Sequence, residues 1–164
     1  MQAVRYGHSL SIDKFSFLQY HYLPFKNETM KKIITAGLTA GITLLIFSLL
    51  GLYLTISLFP NLAMQYFDPA FDAQSSRYMI YFIHPFIISL ALSWFWDRFK
   101  GILSGSFITR GIEFGFIYMI IAVIPMMWLI YSAMNVSLAM IATWSIAGLL
   151  QGVIAGLVFE KMNP

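Results

Sequence analysis

The stretch FGFIYMIIAVIPMMWLIYSAMNVSLAMIATWSIAGLLQGVIAGLVF, from Phe114 to Phe159, decides the fold of this chain. It runs for 46 residues without one charged side chain. As a single helix it would be about 69 Å long, roughly twice the hydrocarbon core of a bilayer. It must therefore fold back on itself and form two membrane spans.

The most polar part of this stretch, Tyr131–Ser137, is the predicted reversal. Asn135 and Ser137 are both good N-cap residues for the helix that follows. We therefore predict a third span at about 110–131 and a fourth at about 137–159.

The composition of the whole chain agrees with a lipid environment. Of the 164 residues 59% are hydrophobic and only 10% are charged, and the mean hydropathy is +0.75. A soluble domain carries about 25% charged residues, so these few cannot cover a water-exposed surface. The chain has no cysteine, which excludes disulfides, thiolate catalysis and cysteine metal sites.

Two more apolar runs precede the deciding stretch. Residues 33–59 carry no charge and are closed by Pro60, and residues 78–96 are interrupted only by His84-Pro85. Both runs are long enough to cross a bilayer as helices. The predicted fold is thus all-α: a polytopic membrane protein with an antiparallel bundle of four transmembrane helices.

The basic residues predict the orientation of the spans. Alternation places nine lysines and arginines on one side: Arg5, Lys14, Lys26, Lys31, Lys32, Arg98, Lys100, Arg110 and Lys161. The other side receives Arg77 alone, beside Asp68 and Asp72. Because basic loops stay in the cytoplasm, we expect both termini to be cytoplasmic and the protein to lie in the cell inner (plasma) membrane. The formal charge of +3 then reflects this asymmetry and not a nucleic-acid partner.

Residues 1–29 differ in composition from the rest. They mix charged and aromatic residues without regular spacing, and Met30-Lys31-Lys32 follows them directly before an apolar run. We interpret them as an N-terminal tail or an upstream-start extension. The alternative is an interfacial segment whose aromatic side chains lie on the membrane surface.

From residue 30 onwards, the chain resembles small, uncharacterised bacterial inner-membrane proteins of four helices that begin Met-Lys-Lys. The resemblance rests on the layout of residues 30–164 and not on a motif, so it implies the fold and no functional residue.

Glycines at a spacing of four suggest close helix packing. They are Gly37 and Gly41 in the first span, Gly111 and Gly115 in the third, and Gly148, Gly152 and Gly156 in the fourth. Gly51 lies further along the same stripe of small residues in the first span. In lipid, small residues let helix backbones approach closely. We predict that the first and fourth spans pack together, with Gly37 level with Gly156 and Gly41 level with Gly152.

Glu113 and Arg110 are the ionisable candidates near the inner end of the third span. A carboxylate inside a span is a functional hypothesis by default, here a proton or cation site. The structural alternative is an interfacial Arg110–Glu113 pair, with the arginine reaching towards water.

Gln151 and His84 are the remaining polar candidates. Gln151 lies mid-span on the glycine face of the fourth helix, where it can line a polar pocket with Glu113 or hydrogen-bond to a neighbouring helix. His84 precedes Pro85, and it can serve as a haem or metal ligand, as a proton relay, or as a structural histidine. By helix rise, His84 lies too far from the other two to share one site with them.

Three hypotheses of function remain open. The preferred one is a non-enzymatic membrane protein that interacts through its helices with itself or with another membrane protein. The second is a small oligomeric transporter or channel that uses Glu113 and Gln151. The third is a cofactor, quinone or lipid binder that uses His84. The preferred hypothesis requires no metal, cofactor or nucleic acid, and its surroundings are the lipid bilayer.

Overall fold

The computed structural model describes residues 27–67 and 78–164, and within these ranges the chain is helical with no strand. The elements are α1 (Asn27–Leu58), α2 (Pro60–Ala63), a 3-10 helix (Met64–Phe67), α3 (Tyr78–Phe99), α4 (Phe107–Tyr118), a π-helical segment (Met119–Val123), α5 (Ile124–Ala133) and α6 (Leu138–Met162). The chain divides into two compact units, Met1–Lys31 and Lys32–Pro164. The second unit contains the features described below.

Four helices in the described ranges are long and apolar enough to cross a membrane. They are Asn27–Leu58, Met79–Phe99, Phe107–Ala133 and Leu138–Met162. This confirms the all-α class and the four apolar helices, and it suggests a multi-pass membrane protein. The helices extend a few residues beyond the predicted spans, most at the start of α1, which includes Met30, Lys31 and Lys32. The predicted tail up to residue 26 and the loop residues Asp68, Asp72 and Arg77 lie outside the described residues.

Serine side chains begin two of the long helices. The Ser106 hydroxyl accepts a hydrogen bond from the Thr109 amide and caps α4. Ser137 caps α6 in the same way, through the Met140 amide at 3.2 Å. A serine oxygen satisfies an amide that has no partner within the helix. Of the two N-cap candidates for the fourth span, Ser137 is therefore the one used.

α4 and α6 pack closely through glycines. A Cβ added to Gly156 would lie 2.9 Å from the Gly111 carbonyl oxygen, and one added to Gly152 would lie 3.0 Å from the Gly115 Cα. Further along, Gly148 faces the Val123 side chain. The contacts therefore advance along α4 as they go back along α6, which makes the two helices antiparallel. The glycines allow the two backbones to come into contact.

The glycines of α1 have other neighbours. Gly37 faces Leu90, and Gly41 faces Phe86 and Ser89, all on α3. The predicted contacts of Gly37 with Gly156 and of Gly41 with Gly152 are therefore wrong, although the hydrogen bond from Gln151 to Ser48 does join α6 to α1. Side chains of α3 fill the spaces at Gly37 and Gly41, whereas Gly152 and Gly156 of α6 pair with the glycines of α4.

A buried cluster joins the helices at one end of the second unit, which we call the Trp96 end. Its members are Ala36, Ala40, Leu44, Trp96, Leu103, Phe114, Ala155 and Phe159. Trp96 and Phe114 meet edge to face with ring centroids 5.2 Å apart. Such aromatic pairs contribute about 0.5–1.5 kcal/mol beyond the area that they bury.

The opposite end, which we call the Tyr66 end, contains two short elements that the sequence did not predict. α2 and the 3-10 helix occupy part of what was expected to be a loop. There the Ser137 hydroxyl donates to Gln65 Oε1 at 2.6 Å, and the Trp144 indole N–H donates to the Tyr66 hydroxyl. These two bonds attach the chain after α1 to the beginning of α6.

Candidate functional site: a polar cluster at the Trp96 end

An ion pair between α4 and α6 is the centre of the candidate site. Arg110, in the first turn of α4, donates from Nη1 to Glu160 Oε1, in the last turn of α6. Its Nη2 donates to the Lys100 carbonyl oxygen at 2.9 Å. The two side chains are only 17% and 12% exposed, so water screens the pair weakly.

The expected Arg110–Glu113 pair does not form. Arg110 instead pairs with Glu160, because the facing glycines Gly111 and Gly156 bring the start of α4 against the end of α6. Glu160 is not among the site residues predicted from the sequence. The sequence does mark it as the first charged residue after the apolar stretch 114–159. If that stretch folds back on itself, Glu160 lies at the same depth as Arg110 and Glu113, the last charged residues before it.

Trp96 covers the ion pair from α3. Its ring lies 5.5 Å from the guanidinium carbon of Arg110, a cation–π geometry, and the residue is fully buried. Its indole N–H donates to the Asn163 carbonyl oxygen at 2.9 Å. A tryptophan at the end of a predicted span is typical of the membrane interface. In the structure Trp96 packs against both the ion pair and the core.

Asn163 fastens the end of α6 to the end of α3. Its side-chain amide donates to Asp97 Oδ1 at 2.9 Å, and its Oδ1 accepts from Lys100 Nζ at 2.8 Å. Lys100 also donates to the Pro164 carbonyl oxygen at 2.9 Å and lies 3.7 Å from Asp97. Asn163 is 2% exposed, and each of its polar side-chain atoms has a partner. Such a satisfied buried amide fixes one arrangement of its neighbours.

Two atoms of the ion pair remain without a hydrogen bond. Arg110 Nε and Glu160 Oε2 are buried, and neither has a hydrogen-bond partner among the residues that the structure describes. A bidentate pairing would satisfy both atoms, but Arg110 directs Nη2 to the Lys100 carbonyl instead. The pair therefore carries a desolvation cost, which makes its contribution to stability smaller than its short contact suggests.

Glu113 lies beside this cluster and holds the loop before α4. Its Oε2 accepts from the Ser104 amide at 3.4 Å, a long hydrogen bond. Gly111, two residues earlier, faces α6, so Glu113 points to a different side of α4.

Gln151 has its partner on α1. Its Nε2 donates to the Ser48 hydroxyl at 3.3 Å, which links α6 to α1. The structure therefore gives Glu113 and Gln151 separate partners and does not join them in one pocket. His84 lies on the exposed part of α3, directly before the buried Pro85.

The described residues contain no group of three histidines or carboxylates placed to hold a metal ion. A groove of about 530 Å³ lies at the Tyr66 end, open to the outside and lined by the end of α1, α2 and the start of α6. Its lining is mostly apolar, with the amides of Asn61 and Gln65 at its polar part. It is far along α6 from the ion pair, so the two features are separate.

The polar cluster links α3, α4 and α6 through hydrogen bonds and an ion pair. Nearly all its donors and acceptors are used within the chain, and its charges balance in pairs. No family model, curated protein or solved structure matches this chain.

Proposed function

We propose that this chain is a non-enzymatic inner-membrane protein that acts through helix contacts with itself or with another membrane protein. The four apolar helices would form an antiparallel bundle, with both termini in the cytoplasm. The Trp96 end would be cytoplasmic, since Arg98, Lys100, Arg110 and Lys161 lie there.

The observation that supports an interaction is the second half of α1. None of the residues 49–58 is buried, and a Cβ added to Gly51 would meet no atom of residues 27–67 and 78–164 within 4 Å. Gly51 continues the small-residue stripe of Gly37, Gly41 and Ser48. The stripe is therefore occupied by α3 at Gly37 and Gly41 and by Gln151 of α6 at Ser48, and it is open at Gly51.

The contrast between the glycines makes this open position informative. Gly37, Gly41, Gly111, Gly115, Gly148, Gly152 and Gly156 all have close neighbours within the chain. Within a membrane span, glycine offers a notch for another helix, and Gly51 is a span glycine whose notch none of the described residues fills. A helix of a second copy or of a partner would fill it.

The test is cross-linking in native membranes with a thiol-reactive, photoactivatable reagent, and the absence of cysteine in the chain directs the reagent to the introduced residue. Gly51→Cys should cross-link efficiently to a second copy or to one partner of defined mass. Ile46→Cys is the control, because Ile46 is more exposed than Gly51 but lies about 140° around α1 from it, so accessibility alone would favour the control. Equal cross-linking of both variants, or of neither, would contradict the proposal.

A further inference from the structure

Two of the membrane-length helices stop being buried at a proline. On α3, all six residues from Met79 to His84 are exposed, and burial begins at Pro85. On the α4–α5 helix, the last buried residue is Val123, and Pro125 follows two residues later. α5 itself contains no buried residue.

The π-helical segment lies directly before Pro125. The Ile124 amide donates to the Met119 carbonyl, a bond one residue longer than that of an α-helix. Pro125 has no amide hydrogen, and its ring would clash with the carbonyl four residues earlier in a regular α-helix. The wider π turn relieves that clash. Such turns are common at helix kinks and at functional sites.

Pro85 weakens α3 in a similar way. The Tyr81 carbonyl loses the donor that it would have in a regular helix. Beyond Pro85, Phe86 and Ser89 pack against Gly41 of α1, so this helix is held tightly on one side of the proline only.

The Trp96 end provides a fixed base for both helices. Trp96, Phe114 and Phe159 form the aromatic core there, and Arg110 and Asn163 tie α3, α4 and α6 by polar contacts. Motion of the free segments would therefore leave this end undisturbed.

From this arrangement we infer a conformational device that the proposed function does not require. The segment Met79–His84 and helix α5 are two arms that pivot at Pro85 and at the π turn before Pro125, against the fixed Trp96 end. The travel of α5 is short, because only residues 134–137 connect it to α6, and a linking residue spans at most about 3.6 Å. Movement of the arms would change the distance between the Met79–His84 segment of α3 and α5.

α1 supplies an internal comparison. Its burial also ends early, at Leu44, but the helix continues without proline or π turn to Leu58. α1 therefore becomes exposed without a break in its helical hydrogen bonds, whereas in the other two helices the exposed segment begins at such a break.

The experiment measures distances between pairs of spin labels on cysteine variants in lipid vesicles. One pair, Ile80→Cys with Leu129→Cys, reports on the two arms, and both sites are about equally exposed, at 60% and 61%. The matched pair, Ala91→Cys with Ile112→Cys, lies on the same two long helices near the fixed end, also at exposed sites. We expect the distance distribution of the arm pair to be about twice as wide as that of the matched pair, since hinge motions have angstrom amplitudes.

Pro125→Ala and Pro85→Ala restore an amide donor at each pivot, so each should narrow the arm-pair distribution. Pro60→Ala, outside the spans, is the control and should leave it unchanged. Equal widths for the two wild-type pairs would overturn the inference, and this comparison needs no proline variant to fold. A wide arm-pair distribution that neither variant narrows would show that Pro85 and Pro125 are not the pivots. Narrowing by one variant alone would assign the motion to that arm and refute the pivot of the other.

Discussion

Gly111 and Gly156 face each other where α4 begins and α6 approaches its end, so closely that a Cβ on Gly156 would lie 2.9 Å from the Gly111 carbonyl oxygen and 3.1 Å from its Cα. This approach brings Arg110, which directly precedes Gly111, into contact with Glu160, which lies one helical turn after Gly156. The packing of two glycines thus determines which charges pair.

Gly156→Leu should force α4 and α6 apart. Its side chain would meet backbone atoms, which cannot move aside as a flexible side chain can. We expect a loss of about 1–3 kcal/mol in the free energy of unfolding, as for other overpacked sites. Denaturant titration in mixed micelles measures it, and Gly51→Leu is the control because open space surrounds Gly51. An equal loss in both variants would show that the close approach is not the cause.

Arg110→Met alone should destabilise the protein more than Arg110→Met combined with Glu160→Leu. The single change leaves a buried carboxylate without its cation, which costs about 3–5 kcal/mol, whereas removing both charges is often neutral or better. The same titration on the two single variants and the double variant gives the coupling between the residues. Strictly additive losses would mean that the pair makes no specific interaction.

Trp96→Phe should separate the packing role of the indole from its hydrogen bond. Phenylalanine keeps most of the ring contact with Phe114 but leaves the Asn163 carbonyl with the longer Lys100 bond of 3.3 Å. We expect a loss of about 0.5–1.5 kcal/mol for the bond. The same change is then measured in an Asn163→Ala background. If Trp96→Phe lowers the free energy of unfolding by the same amount in both backgrounds, the bond from Trp96 to the α6 end does not depend on the Asn163 side chain.

Gln151→Leu should be tolerated. The bond from Gln151 to Ser48 is long at 3.3 Å, and interhelical hydrogen bonds in membranes average only about 0.6 kcal/mol. Expression, insertion and the melting temperature should remain close to the wild-type values. A variant that inserts normally but loses an ion flux measured in vesicles would instead favour the transporter hypothesis.

The sequence was sufficient to predict the four apolar helices, because span length and charge are local properties. The Ser137 cap was predictable for the same reason. The helix partners were not. The α6 glycines could match the stripe of α1 as well as that of α4, and the filling of the Gly41 notch by Phe86 is not marked in either helix.

The candidate site was predicted only in part, for the same physical reason. Arg110 was identified, but its partner lies 50 residues away on α6 and not one turn away on its own helix. Asn163 and Trp96 acquire their polar roles only once α3 and α6 end at the same place.

The central claim is that the chain crosses the membrane four times with both termini in the cytoplasm, and reporter fusions in bacterial cells test it most directly. Fusions after Tyr66 and after Asn135 should have exported-reporter activity, and fusions after Lys100 and at Pro164 should have cytoplasmic-reporter activity. A cytoplasmic signal from the fusion after Tyr66 would contradict the account, because it would invert or remove the first span and every assignment of sides that follows from it.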